Sequence, residues 1–231
     1  MQHKKIAASL FSALKSGKAL TPITETHPGI SIDDAYKISL AFLDLRVVKN
    51  NEKIVGKKIG VTSKAVQDML GVFQPDFGFL TDGMAVLDGR VNVDCLISPR
   101  AEAEIAFKLH TDLKGPGITG KDVLAATKYI QPCFEIVDSR ILDWKIKIQD
   151  TVADNASCGV FILGDKKVNP NDLDMASLEV VVRKNGIAIS RGMGSSVQGS
   201  PENAVAWLAN TLGEYGIPFL AGETILSGSL V

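Results

Sequence analysis

Arg100-Ala101-Glu102-Ala103-Glu104-Ile105-Ala106-Phe107 alternates with the period of a β-strand, which sends Glu102, Glu104 and Ala106 to one face and Ala101, Ala103, Ile105 and Phe107 to the other. Two carboxylates on one face of an otherwise apolar strand are costly to desolvate unless a positive charge sits between them. A third acid, Glu135, lies inside another apolar run, Cys133-Phe134-Glu135-Ile136-Val137. Three glutamates embedded in hydrophobic strands offer an all-oxygen donor set of the kind a hard divalent cation takes. If they converge on Mg²⁺ or Mn²⁺, about three positions of an octahedral shell stay open for water and substrate. The alternative is that they face solvent or pair with lysines.

Around this strand the texture is mixed. The first fifty residues read as two helices separated by a loop at Leu20–Gly29. Ile6, Leu10 and Leu14 make one stripe of an amphipathic helix, and Ser31-Ile32-Asp33-Asp34 caps a second whose spaced residues are Tyr36, Leu40, Leu43 and Val47. After Lys53 short strands take over. The spacing predicts strands over Ile54–Val61, Glu102–Leu109, Phe134–Asp138, Val160–Leu163 and Thr224–Ser227, and a short extended piece at Gly78–Leu80. Helices are predicted over Lys64–Leu70, Lys121–Tyr129 and Pro201–Leu212. Asn185-Gly186 between two apolar runs predicts a hairpin. Strands outnumber helices without alternating with them, so the expected class is α+β with a mixed or antiparallel sheet. The expected division is a helical N-terminal region, residues 1–52, and a larger domain, residues 53–231.

The chain has 231 residues, 45% of them hydrophobic, enough for a sizeable core. Its formal net charge is −1 with scattered basic residues, which argues against a nucleic-acid partner. Apolar runs fall short of a membrane span, so no membrane association is expected. The three cysteines lack metal-ligand spacing, and Cys133 and Cys158 read as small core residues in a reducing, cytoplasmic compartment. The three histidines compose no Ser/His/Asp or Cys/His arrangement.

Other segments carry candidate chemistry. In Gly56-Lys57-Lys58-Ile59-Gly60, alternation puts the two lysines on opposite faces, one inward and one outward, unless both are solvated on an edge. An inward lysine near a cation can polarise a carbonyl or move a proton. Pro75 fixes a turn with Asp76 displayed at its tip or capping backbone amides. Asp138-Ser139-Arg140 and Asp150–Ser157 are dense in polar groups, lining a site or forming a buried network. The amides of Ser227-Gly228-Ser229 are placed to hold a carboxylate.

These motifs, taken together in order, resemble the 2-oxopent-4-enoate (2-hydroxypenta-2,4-dienoate) hydratases of the fumarylacetoacetate hydrolase-like superfamily. The resemblance rests on Lys57–Lys64, Gln74–Gly78, Pro99–Phe107 and Asp150–Gly159, and runs from about Ser31 to Val231. It implies a mixed β-roll or sandwich core with a small helical N-terminal region. It implies Mg²⁺ or Mn²⁺ on Glu102, Glu104 and Glu135, catalytic roles for Lys58 and Asp76, and substrate contacts from Ser157, Ser227, Gly228 and Ser229. The implied activity is that of a hydro-lyase in meta-cleavage aromatic catabolism, acting on a small 2-hydroxydienoate or 2-oxoenoate. The implied assembly is a homo-oligomer, with a complex with 4-oxalocrotonate decarboxylase as a further partner. The rival readings are that decarboxylase itself, or a non-catalytic partner subunit of it. Relatives of this kind continue past Ser-Gly-Ser-Leu-Val with another strand pair, whereas this sequence ends at Val231, so the expectation is a sheet without those closing strands. The Glu-His pair of the superfamily's C–C hydrolases is not found, which argues against hydrolysis.

Overall fold

A computed structural model describes residues 2–231, the side chains at 65, 69 and 70 excepted. In chain order the first elements are α1 (Gln2–Ser16), α2 (Ile23–Thr26), α3 (Ile32–Asn50), β1 (Ile54–Gly60), α4 (Lys64–Leu70), β2 (Asp76–Thr81) and β3 (Pro99–Leu109). They are followed by α5 (Gly120–Ala126), β4 (Thr127–Asp138), α6 (Ile148–Ala153) and β5 (Cys158–Leu163). The last are β6 (Glu179–Lys184), β7 (Ile187–Met193), α7 (Pro201–Glu214) and β8 (Thr224–Leu226). The backbone falls into two compact units. One comprises Met1–Ile54, Asp76–Ala101 and Ile136–Ile162; the other comprises Val55–Pro75, Glu102–Glu135 and Leu163–Val231.

The first unit contains α1, α2, α3 and α6. α1 buries Ile6, Ala7, Leu10 and Ala13 and packs on α3, which also packs on α6. Ser31 and Asp34 form the capping box that opens α3. The buried face of α3 is Ala35, Ile38, Ser39, Phe42, Leu43 and Arg46, while Leu40 is exposed, so the expected stripe is rotated. Apolar residues encircle most of this helix, and Arg46 is drawn inward by its ion pair with Glu52, so period alone did not select the face. The segment expected to be a loop at Leu20–Gly29 contains the single turn α2, and α6 forms where no helix was expected.

The second unit holds β1, β8, β3 and β4 as neighbours in that order within a six-stranded mixed sheet. β1 and β8 pair in parallel (Gly56↔Thr224, Lys57↔Ile225, Lys58↔Leu226). β3 and β8 pair antiparallel (Ala106↔Leu226, Phe107↔Ile225, Lys108↔Thr224). A mixed sheet with a helical N-terminal region is the α+β class expected. β4 begins at Thr127, seven residues before the expected strand, and α5 ends at Ala126 rather than at Tyr129. Thr127-Lys128-Tyr129-Ile130 is rich in β-branched and aromatic residues, and Ile130 bridges to Val168, so strand pairing wins over the helical spacing. The hairpin of β6 and β7 stands apart as a two-stranded sheet, with Asn185 and Gly186 both at positive φ as the turn requires. Among the described residues no helix is long and apolar enough to cross a membrane.

Candidate active site

The register of β3 on β8 and of β8 on β1 places Ala106, Leu226 and Lys58 in one cross-strand row, so their side chains share a face. Glu104 and Glu102 continue that face along β3. Glu135 comes from β4, the next strand. One carboxylate oxygen from each of Glu102, Glu104 and Glu135 lies within 4.8 Å of the other two. Glu104 and Glu135 are buried and Glu102 is half-buried. The Lys58 ammonium, 2% exposed, sits 3.1 Å from Oε1 of Glu135.

At an effective dielectric of about 20, two charges 4.8 Å apart repel by about 3 kcal/mol, so three ionised acids would carry a repulsion of about 10 kcal/mol. That is comparable to the whole stability of a domain, and one ammonium does not offset it. Glu104 registers the cost. Burial, then the charges of Glu135 and Glu102, hold its carboxyl well above the usual carboxylate range, against the pull of Lys58 and of the Gly228 amide. A divalent cation removes the repulsion, and the all-oxygen donor set suits a hard ion. Oε1 of Glu104 has no hydrogen-bond partner among the described residues, an acceptor left over for such an ion. The donor set therefore fits Mg²⁺ or Mn²⁺. Cys133 is buried beside this cluster, and burial with the Glu104 and Glu135 charges pushes its thiol well above its ordinary range, so it is an inert core residue there.

The turn after β8 completes this face. Extending the β3–β8 register puts Gly228 opposite Glu104, and the Gly228 amide donates to Oε2 of Glu104 at 2.8 Å. The small-residue turn thus holds a carboxylate, the protein's own. Gly228 has φ +100, and a Cβ there would meet the Thr62 side chain at 2.5 Å, so only glycine fits. The Ser227 hydroxyl is buried with no hydrogen-bond partner among the described residues, while Ser229 donates to the Val231 carbonyl.

The second unit therefore brings together Glu102, Glu104, Glu135, Lys58 and Gly228. Asp76 and Ser157 belong to the first unit. Asp76 is not displayed at a turn tip: it is 1% exposed and opens β2. The next residue, Phe77, stacks on Tyr36 with ring centroids 4.4 Å apart, which draws the strand end into the core. The Asn155 side chain accepts from Phe79 N and donates to Phe79 O, pinning β2 as a neighbouring strand would. Asn155, Ala156 and Ser157 are three successive residues at positive φ. Ser157 lies within hydrogen-bond reach of Thr151 and Asp154. The polar run around Arg140 is a buried network: the guanidinium donates to Asp154 and to the carbonyls of Asp138, Cys158 and Asp154.

One expectation fails on the lysine pair. Lys57 does not face outward; at 2% exposure it is as buried as Lys58, and its ammonium pairs with Glu223. The Phe219 ring lies 5.3 Å from the Lys57 ammonium and both lysines are 2% exposed, so both faces of the strand are enclosed here. Glu223 had no sequence signal, because its partner lies 166 residues away.

No protein-family model matches the chain. Curated relatives do. It is 61% identical over 224 residues to the 2-hydroxyhexa-2,4-dienoate hydratase of Comamonas testosteroni, covering 96% of this chain and 84% of that protein. It is 56% identical over 215 residues to the 2-hydroxypent-2,4-dienoate hydratase of Pseudomonas putida, covering 92% and 96%. Among solved structures, the 4-oxalocrotonate decarboxylase of Pseudomonas putida G7, complexed with magnesium and adipate, superposes with a TM-score of 0.94 at 36% identity, over 99% of this chain and 87% of that one. Identity of this level over nearly the full chain settles the kinship: the chain belongs to the 2-hydroxydienoate (2-keto-4-pentenoate) hydratase family.

Proposed function

We propose that this protein is a metal-dependent hydro-lyase that adds water to 2-hydroxypenta-2,4-dienoate, giving 4-hydroxy-2-oxopentanoate. The observation that carries the reading is the meeting of Glu102, Glu104 and Glu135 beside the Lys58 ammonium. Its kinship with hydratases at 56–61% identity favours hydration over the decarboxylation performed by the neighbour at 36%.

The three acids would hold Mg²⁺ or Mn²⁺. Bound there, the ion would supply Lewis acidity toward the substrate carboxylate and 2-oxygen. The chain's own groups would do the rest. Lys58 holds or moves the proton at the 2-oxygen, and its buried ammonium favours negative charge building up there. Loss of that proton with protonation of C5 gives the conjugated 2-oxo-3-enoate; hydroxyl addition at C4 with protonation of C3 completes the hydration. Asp76, deeply buried at the head of β2, orients the water or moves the carbon-bound proton. The Gly228 amide fixes the rotamer of Glu104. Ser157, Ser227 and Ser229 are assigned to the substrate side.

We place the reaction in meta-cleavage breakdown of aromatic compounds, in the cytoplasm, with the protein as a homo-oligomer that also associates with 4-oxalocrotonate decarboxylase. The resemblance to hydratases supports the pathway and the assembly, and the free cysteines are in keeping with a reducing compartment. The test is dienol absorbance in the presence and absence of Mg²⁺ or Mn²⁺. Decay only with metal, without release of CO₂ from 4-oxalocrotonate, supports the reading; metal-independent decay or prompt CO₂ release overturns it.

A further inference from the structure

Lys57 and Glu223 form an ion pair buried on the side of β1 opposite Lys58, where no substrate-directed role has been given to them. Such a pair is poor value as a source of stability. Desolvating two charges costs several kcal/mol each, and well-packed apolar residues of similar volume do as well or better. Burial alone lowers the readiness of Lys57 to hold its proton, and Glu223 counters that shift. Fixing register is the best-attested use of buried charges.

β8 is a strand that needs its register fixed. It has three residues, Thr224, Ile225 and Leu226, and all are buried. It carries no charged residue, and its one polar side chain, Thr224, has its hydroxyl 3.4 Å from the Lys108 ammonium, so its side-chain pattern penalises a one-residue slip little. Two features outside that pattern do penalise it. A Cβ at Gly56 would lie 1.8 Å from the Thr224 carbonyl oxygen, so β1 and β8 touch backbone to backbone at this point. Glu223, the residue before β8, accepts from the Lys57 ammonium and from the Leu220 amide. A slip of one residue would pull Glu223 off Lys57 and, at the other end, carry the Gly228 amide away from Glu104.

We propose that Lys57 and Glu223 are positioning residues: their ion pair holds β8 in the register that presents the Gly228 amide to Glu104 and so orients the acid cluster. The metal half of this statement rests on reading Glu104 as a ligand; the register half does not.

The experiment compares wild type, Glu223→Gln and the double variant Lys57→Met/Glu223→Leu by two readouts. The first is the amide resonance of Gly228 in metal-free protein. Labelling serine at its carbonyl carbon and glycine at its nitrogen isolates it, because Ser-Gly occurs only at Ser16-Gly17 and Ser227-Gly228. The second is Mn²⁺ affinity from the free Mn²⁺ spin-resonance signal, with a urea midpoint measured alongside. The double variant keeps the wild-type midpoint, moves the Gly228 resonance to where Glu104→Ala puts it, and binds Mn²⁺ about tenfold or more weakly, the usual cost of losing an outer-shell partner. Glu223→Gln moves both readouts the same way. A Gly228 resonance and an Mn²⁺ affinity unchanged from wild type in both variants overturn the proposal. If wild type takes up no Mn²⁺, the ligand reading of Glu104 falls, and the Gly228 resonance alone decides the positioning role.

Discussion

Two buried polar clusters, one in each compact unit, are settled in opposite ways. Around Arg140 the donors and acceptors are matched: Nε donates to Asp154 Oδ1, both terminal nitrogens reach main-chain carbonyls, and Asp154 Oδ2 takes the Arg140 amide. Burial pushes Asp154 up to about 6 despite Arg140, so the pair is still charged at neutral pH. Around Glu104 three acids meet one lysine, an acceptor oxygen is left over, and the neighbouring Ser227 hydroxyl has no bond among the described residues. A buried network that is complete is structural by default; one short of positive charge by this much is built around something it binds.

That contrast breaks or holds under mutation. The largest effect should come from Glu135→Gln or Glu104→Gln. Either removes a carboxylate from the cluster, so turnover of the dienoate should fall by about a thousandfold or more; for Glu104→Gln, whose carboxyl already favours its neutral form without metal, the metal-free protein should be as stable as wild type or more so. Steady-state kinetics and urea denaturation read both. In the complete network the outcome reverses: Arg140→Met strands the Asp154 carboxylate and should cost about 3–5 kcal/mol of stability. A loss under about 1 kcal/mol, within the range of a surface pair, would dissolve the distinction.

Acidity gives the next effect. The Glu104 carboxyl in the folded, metal-free chain sits well above the value of 4.5 that it takes when unfolded. Over the window above 4.5 the folded state therefore keeps a proton the unfolded chain has released, and this group's contribution to stability falls as pH rises. A divalent cation replaces that proton, so the gain in Tm on adding Mg²⁺ should grow with pH. A gain that is level or shrinks from pH 5 to pH 8 would count against the cluster as the ligand set. The smallest effect is a matched pair of serines. Ser157→Ala removes a hydroxyl near Thr151 and Asp154 and should cost about 1 kcal/mol, whereas Ser227→Ala removes a hydroxyl with no partner among the described residues and should be neutral or slightly stabilising.

What could be read in advance follows the same physics. Glu102, Glu104 and Glu135 stood out because carboxylates in apolar strands need a local explanation, and that need is visible residue by residue. The capping box at Ser31 and the Asn185-Gly186 turn were legible because their chemistry spans only a few residues. Hidden were the features set by distant pairing. The early start of β4 depends on Val168, the burial of Lys57 depends on Glu223 and Phe219, and the inward face of α3 depends in part on where Glu52 draws Arg46. Asp76 looked like a turn tip because Pro75 precedes it; the stacking of Phe77 on Tyr36 is what carries it inside.

The central claim is that the incomplete cluster is completed by a divalent cation. Titrating Mn²⁺ into metal-stripped protein, wild type beside Glu135→Gln, tests it most directly. A single Mn²⁺ bound per wild-type chain and none by Glu135→Gln is the result expected; equal uptake by both, or no uptake by either, would contradict it.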